Sequence, residues 1–479
     1  MSISRRAFLG GAASSLFVGG CASQGVPRII GANSKVNVAI IGCGLIARLT
    51  NVPGFLKDPR CRVTIACDMV KVAPDYFYGG RKSDFGAEGF ARKGADGYPK
   101  GVCGSTVIKD LVDRHYGDTS CREVFDWREV VADPSVDAVC ICTPDHWHAI
   151  IAIAAMKAGK HVFCQKPMSL GIREGQAMVR VAKATGVTFQ VGNQGRSEAP
   201  SRFMEEIALN GYAGKVLGAT VCIPGGDHWE GHGHSAARAP LPKYMSEEAW
   251  NLWQGPARHW EDNAYIPSIH EPTCWRFNRR YGGGMIPDFG AHEFDKLQRG
   301  LGTDLTGPVA VENMKTNLRR DNEVFTWAGV YDFEFVYANG LRVRVRPIDV
   351  KNGFPRQTTF HCEKGDVGIK GGKLVVPECL SKLKESDLTG SDRRLYAPAE
   401  GHWHEADFVD GILERRQCCS PCEVGHRTIT MAHIANVCEQ LRVDRLGWDP
   451  AAERFTGPNA AAAEEMCKVE YCNGWELGA

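Results

Sequence analysis

The sequence has no excess of charge of either sign. Its 479 residues contain 57 lysines and arginines against 56 aspartates and glutamates, and the formal net charge at pH 7 is +1. A protein that holds nucleic acid or an anionic membrane through long-range electrostatics needs a surplus of positive charge. The composition therefore argues against nucleic acid as a partner, and it fits an ordinary globular chain of about two domains.

The chain also lacks a long apolar run and a dense framework of cysteines. A membrane-spanning helix needs about 20 consecutive apolar residues, whereas the apolar stretch near the N-terminus ends by Gly20. The 19 cysteines are scattered along the chain, which is unlike the close spacing of small disulfide-rich secreted domains. Cys418, Cys419 and Cys422 could pair or bind metal, but their spacing has no matching second half. We predict mostly buried thiols and no metal site.

No acidic residue precedes Asp58, and this stretch begins with an export pattern. The segment Ser4–Leu9 (SRRAFL), followed by small and apolar residues, is typical of a twin-arginine signal. That route, as generally understood, carries folded proteins, so the sequence predicts an exported protein that is periplasmic or lipid-tethered. The residues before Cys21 resemble a lipoprotein cleavage box. Lipidation of Cys21 and simple cleavage nearby both stay open.

An apolar, β-branched run over 35–41 ends in the sequence GCGLIA at 42–47. In such a strand-turn-helix unit the first glycine permits a tight bend, and the second lets backbone N–H groups approach a pyrophosphate. A second apolar run over 62–67 ends at Asp68, where a carboxylate can accept both hydroxyls of an adenosine ribose. A plain strand-turn-helix with a chance acid is the alternative. We predict bound NAD, with NADP less favoured, at Gly42, Gly44, Leu45, Ile46 and Asp68.

Three further polar motifs each follow a short apolar run that we predict to be a parallel strand. They are TPDHWH at 143–148, QKP at 165–167 and GNQ at 192–194. Open parallel sheets bind ligands at the carboxyl ends of their strands. These motifs therefore supply further candidate cofactor contacts, which are Thr143, Pro144, His146, Gln165, Lys166, Asn193 and Gln194.

Two local expectations accompany these motifs. Asp145 is well placed to cap the N-terminus of the next helix, and His146 or His148 could equally be plain residues at a helix start. Residues 75–118 are rich in Gly, Lys and Asp without a clean period, which favours an elaborated loop region.

Together with GGGMIPDFGAHEFD at 282–295, these motifs resemble the family named after glucose-fructose oxidoreductase, inositol dehydrogenase and MocA (Gfo/Idh/MocA). The resemblance covers nearly the whole mature chain, and the segments near 423–427 and 448–455 look like its exported branch. It implies an α/β protein, and it implies a homo-oligomer because relatives often form one. The implied domains are a signal and leader over 1–34, an NAD(P)-binding Rossmann domain over 35–195, and a substrate-binding α+β domain over 196–479 with an open, mostly antiparallel sheet. We expect its C-terminal helices to pack back on the sheet and the first domain.

The resemblance implies hydride transfer to and from a hydroxyl-bearing carbon of a sugar or polyol, with the cofactor tightly bound. Lys166, Asp288 and His292 match the catalytic positions of the family. His292 is the implied proton acceptor, Lys166 the donor to the substrate oxygen, and Asp288 an orienter or substrate ligand. Asp288 and His292 are four residues apart, so on a helix they share a face. Gln165 stands where relatives usually carry Glu, which removes a charge beside Lys166.

Other interpretations stay open at this point. Asp288 could be a helix N-cap, Lys166 a solvated lysine and His292 a half-buried histidine. The protein could also be an NAD-dependent glycosidase that oxidises a ring hydroxyl transiently, eliminates the aglycone and adds water, or a non-catalytic sugar- or nucleotide-binding protein. We expect the polar segment 227–234 to contact a sugar in preference to a metal, and Trp229, Trp260 and Trp275 either to stack on a sugar ring or to fill the core.

Overall fold

The computed structural model describes residues 34–74, 76, 96–99, 101–225, 237–258, 264–270, 274–318, 326–349, 357–370, 373–399 and 403–478. The predicted twin-arginine signal, Cys21, Trp229, Trp260 and the segment 227–234 lie outside these residues. In the part of the chain that is described, no helix is long and apolar enough to cross a membrane.

The N-terminal half forms a parallel sheet with helices between its strands. The strands are β1 (Val36–Ile41), β2 (Cys61–Cys67), β3 (Arg122–Val124), β4 (Ala138–Ile141), β5 (His161–Cys164) and β6 (Phe189–Val191). The helices are α1 (Val52–Leu56), α2 (Ser105–Tyr116), α3 (Trp127–Ala132), α4 (His148–Lys157) and α5 (Ile172–Thr185). A π-helical turn over Ala47–Asn51 leads into α1.

The strand order of this sheet is β3-β2-β1-β4-β5-β6, and every neighbouring pair is parallel. The chain therefore reverses its direction of winding between β1 and β4, and such a switch point opens a crevice at the carboxyl ends of the strands. The apolar runs become strands because helices cover both faces of the sheet, and β4 is buried along its whole length. The predicted Rossmann architecture is confirmed.

The C-terminal half contains a second, larger sheet. Its strands are β7 (Val216–Ile223), β8 (Ala310–Thr316), β9 (Tyr331–Val336), β10 (Arg342–Pro347), β11 (Gln357–Cys362), β12 (Gly365–Lys370), β13 (Lys373–Val375), β14 (Arg445–Asp449) and β15 (Arg454–Thr456). The remaining helices are α6 (Ala199–Leu209), α7 (Glu247–Gln254), α8 (Pro267–His270), α9 (Met285–Leu301), α10 (His404–Glu414), α11 (Cys422–Leu441) and α12 (Ala460–Met466).

This second sheet has the order β13-β12-β11-β7-β10-β9-β8-β14-β15, and among its described pairs β7 and β10 alone are parallel. Its inner face packs against α6, α9 and α11 around a core that includes Phe294, Phe333 and Phe335. The outer face carries exposed ion pairs such as Arg344 with Asp332. The prediction of a mostly antiparallel sheet is confirmed, whereas the boundaries at residues 34 and 195 stay predictions.

Helix α10 comes from the C-terminal half of the sequence but packs on the first domain. Its Phe408 ring lies edge-on to Phe55 and Phe163, with centroids 6.3 and 5.7 Å away. Edge-to-face aromatic pairs of this kind add to the stabilisation from apolar burial. The expectation that the late helices pack back on the first domain agrees with this contact.

Two local predictions were wrong, the first of them over the helix at 105–116, since residues 77–95 lie outside the described part of the chain. The region 75–118 contains helix α2, whose apolar side is formed by the buried residues Val107, Ile108 and Val112; its many charged residues lie on the other side and hide the period. Asp145 caps no helix with its side chain, because Pro144 holds the N-cap position and Asp145 is the first residue of a 3₁₀ turn.

A buried ionic network anchors α9 to the segment that follows β6. Arg196 binds both carboxylate oxygens of Asp295, at 2.7 and 2.8 Å, and also reaches Asp304 at 2.8 Å. One turn along α9, Arg299 pairs with Glu205 and donates to the Arg196 carbonyl oxygen at 3.0 Å. Buried ion pairs of this geometry fix the relative position of the elements that carry them.

We expect Asp295→Asn to lower the free energy of unfolding by about 3 kcal/mol, because it leaves a buried guanidinium with one carboxylate partner fewer. The matched control is Asp332→Asn on the outer sheet face, whose exposed pair with Arg344 should contribute less than about 1 kcal/mol. Urea unfolding of the two variants measures the difference. Equal losses would contradict the anchoring role of Asp295.

Candidate active site

The glycine-rich turn has the geometry that a dinucleotide pyrophosphate requires. Gly42 adopts φ +88°, and a Cβ at this position would lie 2.7 Å from the backbone carbon of Cys142. Only glycine fits this turn, because an L side chain would be strained and would collide with the neighbouring strand. Leu45 is buried on the protein side of the turn and Ile46 is 40% exposed.

Asp68 lies at the end of β2 and closes one side of this turn. Its Oδ2 accepts a hydrogen bond from the Cys43 backbone N–H at 2.7 Å, and its Oδ1 accepts one from Val70 N–H at 2.8 Å. Burial raises the pKa of Asp68 to about 6, and the two backbone donors lower it only in part. The carboxyl thus stands beside the glycine turn, where the sequence predicts an adenosine ribose.

Five of the predicted cofactor residues line one cleft, and aromatic side chains close its far wall. The predicted residues are Gly42, Gly44, Asp68, Thr143 and Pro144. The wall includes Trp253 from α7 and His270 from α8. Because both belong to the C-terminal half of the chain, the second domain completes the cofactor cleft.

Three polar atoms of predicted cofactor residues have no hydrogen-bond partner among the described residues. They are Thr143 Oγ1, Asn193 Oδ1 and Gln194 Nε2, all of them buried. Buried polar atoms are nearly always paired in proteins, so each such atom calls for a partner. Together with the glycine cradle, these atoms fit a bound NAD.

His146 and His148 brace the loops around this cleft. His146 Nε2 lies 3.0 Å from the Trp253 carbonyl oxygen. The His148 ring lies between two carbonyl oxygens, that of Pro167 at 2.7 Å and that of Thr143 at 2.9 Å. Burial lowers the pKa of His146 to about 3 and that of His148 to about 4, so both rings are neutral. A neutral ring donates from one nitrogen only. His148 therefore joins the segment 165–167, called the lysine loop below, to the TPDHWH turn through one hydrogen bond at a time.

The lysine loop and α9 meet in a buried ion pair. Lys166 Nζ donates to Asp288 Oδ1 at 2.7 Å and to the Asp288 carbonyl oxygen at 2.9 Å. Arg276 Nε lies 3.2 Å from Asp288 Oδ2. Burial opposes ionisation of Asp288, but Lys166 and Arg276 outweigh it and hold the pKa of this carboxyl well below its usual range, with a smaller contribution from His292. Asp288 is therefore a carboxylate at all physiological pH values.

Asp288 and His292 lie one turn apart in α9, as the four-residue spacing predicts. The N-cap position of this helix is Gly284, so the N-cap interpretation of Asp288 does not hold. His292 is half-buried and close enough for its charge to influence Asp288. The structure thus brings Lys166, Asp288 and His292 together, while their catalytic roles stay predictions.

Sequence reasoning missed two ionisable residues of this site, Arg276 and Asp145. Arg276 lies in a short 3₁₀ turn with its guanidinium 4.2 Å from the Trp275 ring centroid, and no sequence signal marks it. Asp145 belongs to the TPDHWH motif, but its position there suggested a helix cap. Burial raises the pKa of Asp145 to about 8, and Asp288 adds to the increase while Arg276 and Lys166 oppose it.

The Gln165 amide binds protein groups in this structure. Its Nε2 donates to Asn51 Oδ1 at 2.8 Å, away from the cleft, and its Oε1 accepts from the Lys166 backbone N–H at 3.3 Å. The predicted contact of Gln165 with the cofactor stays a prediction. Within the described residues, no group of three or more His, Cys, Asp or Glu side chains is placed to hold a metal ion.

Fold and site together define a two-domain protein with an NAD-binding Rossmann domain, and the family comparison agrees. Residues 101–193 match the model described as "Oxidoreductase family, NAD-binding Rossmann fold", and residues 202–476 match "Oxidoreductase family, C-terminal alpha/beta domain". The chain belongs to the Gfo/Idh/MocA family.

Curated relatives are similar over part of the chain. A 1,5-anhydro-D-fructose reductase of Ensifer adhaerens is 28% identical over 193 residues, which is 40% of this chain and 46% of the relative. A levoglucosan dehydrogenase of Pseudarthrobacter phenanthrenivorans is 36% identical over 92 residues, 19% of this chain and 24% of the relative. The chain thus spans less than half the length of these relatives.

Solved structures share the fold over most of the chain. The WlbA dehydrogenase of Bordetella pertussis, in complex with NADH and UDP-GlcNAcA, superposes with a TM-score of 0.54 at 15% identity and covers 87% of this chain and 99% of its own. A levoglucosan dehydrogenase in complex with NADH and levoglucosan gives 0.55 at 17% identity, with 86% and 99% covered. At such low identity these structures support the fold alone.

We expect Asp68→Asn to weaken NADH binding by about tenfold and NADPH binding less, since only NADH offers a free 2′-hydroxyl to the carboxylate. In the native protein, NADH affinity should fall as the pH drops below about 6, where Asp68 gains a proton and becomes a weaker acceptor. Fluorescence titrations on both sides of that pH test both points. A pH step that persists in Asp68→Asn would assign it to another group.

Proposed function

We propose that the protein transfers a hydride between tightly bound NAD and a hydroxyl-bearing carbon of a sugar or polyol. The observation that carries this proposal is the buried Lys166–Asp288 pair, with His292 one helical turn away, beside a cleft that fits NAD. The named relatives act on an anhydrofructose and on levoglucosan, which supports a carbohydrate substrate.

The charge and contacts of each group in the site indicate its chemical role. The cleft lined by Gly42, Gly44 and Asp68 would hold NAD, which would supply the hydride acceptor or donor. Asp288 is ionised and shared between Lys166 and Arg276, so it orients the lysine and is a poor proton acceptor. The Lys166 ammonium donates a hydrogen bond to the substrate oxygen and stabilises negative charge on it. His292 is half-buried next to this pair and takes the hydroxyl proton.

Lys166→Ala and His292→Ala should each lower turnover by about 100- to 10,000-fold and leave bound NADH in place, because both act on the substrate oxygen. The controls are Lys183→Ala and His361→Ala, whose side chains are exposed and outside the site. Turnover is measured on a panel of aldoses, polyols and aryl glycosides, with bound nucleotide assayed in the supernatant of denatured protein. Near-normal turnover of His292→Ala would show that His292 is not the group that takes the hydroxyl proton.

The same panel run in deuterated water separates dehydrogenation from glycoside cleavage. A transient ketone acidifies the neighbouring C–H bond, so elimination and water addition would leave deuterium on the carbon next to the oxidised one. Net dehydrogenation instead gives a keto-sugar without that label. We place dehydrogenation first because the family assignment supports hydride transfer directly.

We further propose that the chain folds before export by the twin-arginine route and works in the periplasm, free or tethered at Cys21. Of the 18 cysteines in the described residues, 15 are buried and none is in a disulfide. Cysteines normally form disulfides in oxidising compartments, so this thiol inventory favours folding in a reducing one. A homo-oligomer stays a prediction.

R5K/R6K should retain the protein in the cytoplasm, since the signal depends on the arginine pair. Cell fractionation with detection of bound NADH measures the distribution, and Cys21→Ala reports on the tether by releasing membrane-bound protein. An unchanged distribution of R5K/R6K would refute the route.

A further inference from the structure

A buried chain of hydrogen bonds connects the lysine loop to α10. Gln165 Nε2 donates to Asn51 Oδ1 at 2.8 Å, and Asn51 Nδ2 donates to Glu405 Oε1 at 2.9 Å. The three side chains are 3%, 0% and 1% exposed. Asn51 and Glu405 are 354 positions apart in sequence, so the chain forms only when α10 has packed on the first domain.

The donors and acceptors of this chain run in one direction. Glu405 Oε1 accepts from the Asn51 NH₂ group, so Asn51 turns its oxygen toward Gln165. The Cys142 thiol confirms that direction, because it donates to the same Asn51 Oδ1 at 3.4 Å. Gln165 must then present its NH₂ group to Asn51, which leaves Oε1 for the Lys166 backbone N–H.

The Gln165 side chain also packs closely against Gly192. A Cβ at Gly192 would lie 2.7 Å from Gln165 Oε1, so the amide fills the room that this glycine leaves. Its side chain is thereby held by contact as well as by hydrogen bonds, and the main chain at Lys166 is held with it.

The same chain explains why an amide stands where relatives usually carry Glu. A Glu at position 165 would place Asn51 between two carboxylates, although its single NH₂ group already serves Glu405. Burial raises the pKa of Glu405 to about 7, so one acid here already resists ionisation. A second acid would leave an acceptor without a donor and add a like charge.

We propose that Glu405, Asn51 and Gln165 form a positioning relay that aligns the main chain at Lys166, and that the acid at 405 and the amide at 165 are a matched pair. This inference rests on the proposed function, since that function gives Lys166 its role. None of the three residues needs to touch substrate, so they are positioning residues.

The test is a swap of acid and amide. Q165E should lower turnover by about tenfold or more, because it creates an unmatched buried acceptor. E405Q should stay close to the native value, since an amide oxygen can still accept from Asn51. Q165E/E405Q should recover most of the loss, because Asn51 can reverse and every bond can form in the opposite direction. Glu414→Gln, an exposed acid of α10, is the control.

All variants are compared well below their unfolding temperatures, where a purely structural defect would leave the folded enzyme at native turnover. NADH affinity is measured alongside by fluorescence. If Q165E does not fold, E405M against E405Q gives the same contrast, since methionine accepts no hydrogen bond from Asn51 and should cost about tenfold in turnover. A Q165E variant with native turnover, or a double variant no better than Q165E, overturns the relay. Loss of the proposed function is recognised separately, by a native protein that binds no NADH or a Lys166→Ala variant with native turnover.

Discussion

The ion pair between Lys166 and Asp288 joins the two domains where their functional residues meet. Taking two charges out of water costs free energy that the pair regains only in good geometry with additional hydrogen bonds. Here the lysine finds a second acceptor in the Asp288 carbonyl oxygen, and the carboxylate finds a second cation in Arg276. The pair is therefore sensitive to small displacements of either partner, and the surrounding structure has to hold both in place.

Separate sets of contacts hold the two partners. On the side of α9, Arg196 and Asp295 fix the helix against the segment after β6. On the side of the lysine loop, His148 reaches the Pro167 carbonyl oxygen and Gln165 accepts from the Lys166 backbone N–H. Side chains that are locked by such outer contacts hold a reacting group more precisely than a mobile loop does. These buried polar contacts thus hold Lys166 and Asp288 in the geometry of their ion pair.

Sequence patterns predicted the elements whose signals are local. The apolar run before Gly42 predicted a buried strand, and the four-residue spacing of Asp288 and His292 placed them on one face of a helix if the segment was helical, as it is. Arg276 and the direction of the Gln165 amide could not be predicted, because they depend on residues far away in sequence, such as Glu405. The same holds for Asp145, whose local pattern is that of a cap and whose burial comes from tertiary packing. Patterns report propensity and period, whereas pairing of buried polar groups is decided by the assembled fold.

The two aspartates of the site illustrate how that assembly assigns chemistry. Asp288 touches two cations and is held as a carboxylate, whereas burial raises the pKa of Asp145 to about 8, so that it is mainly protonated at neutral pH. Carboxyl groups pushed apart in this way take different roles. Asp288 does not take up a proton at neutral pH, and Asp145 already carries one. Neither carboxyl is suited to take a proton from a substrate hydroxyl, which is consistent with the role proposed for the half-buried imidazole of His292.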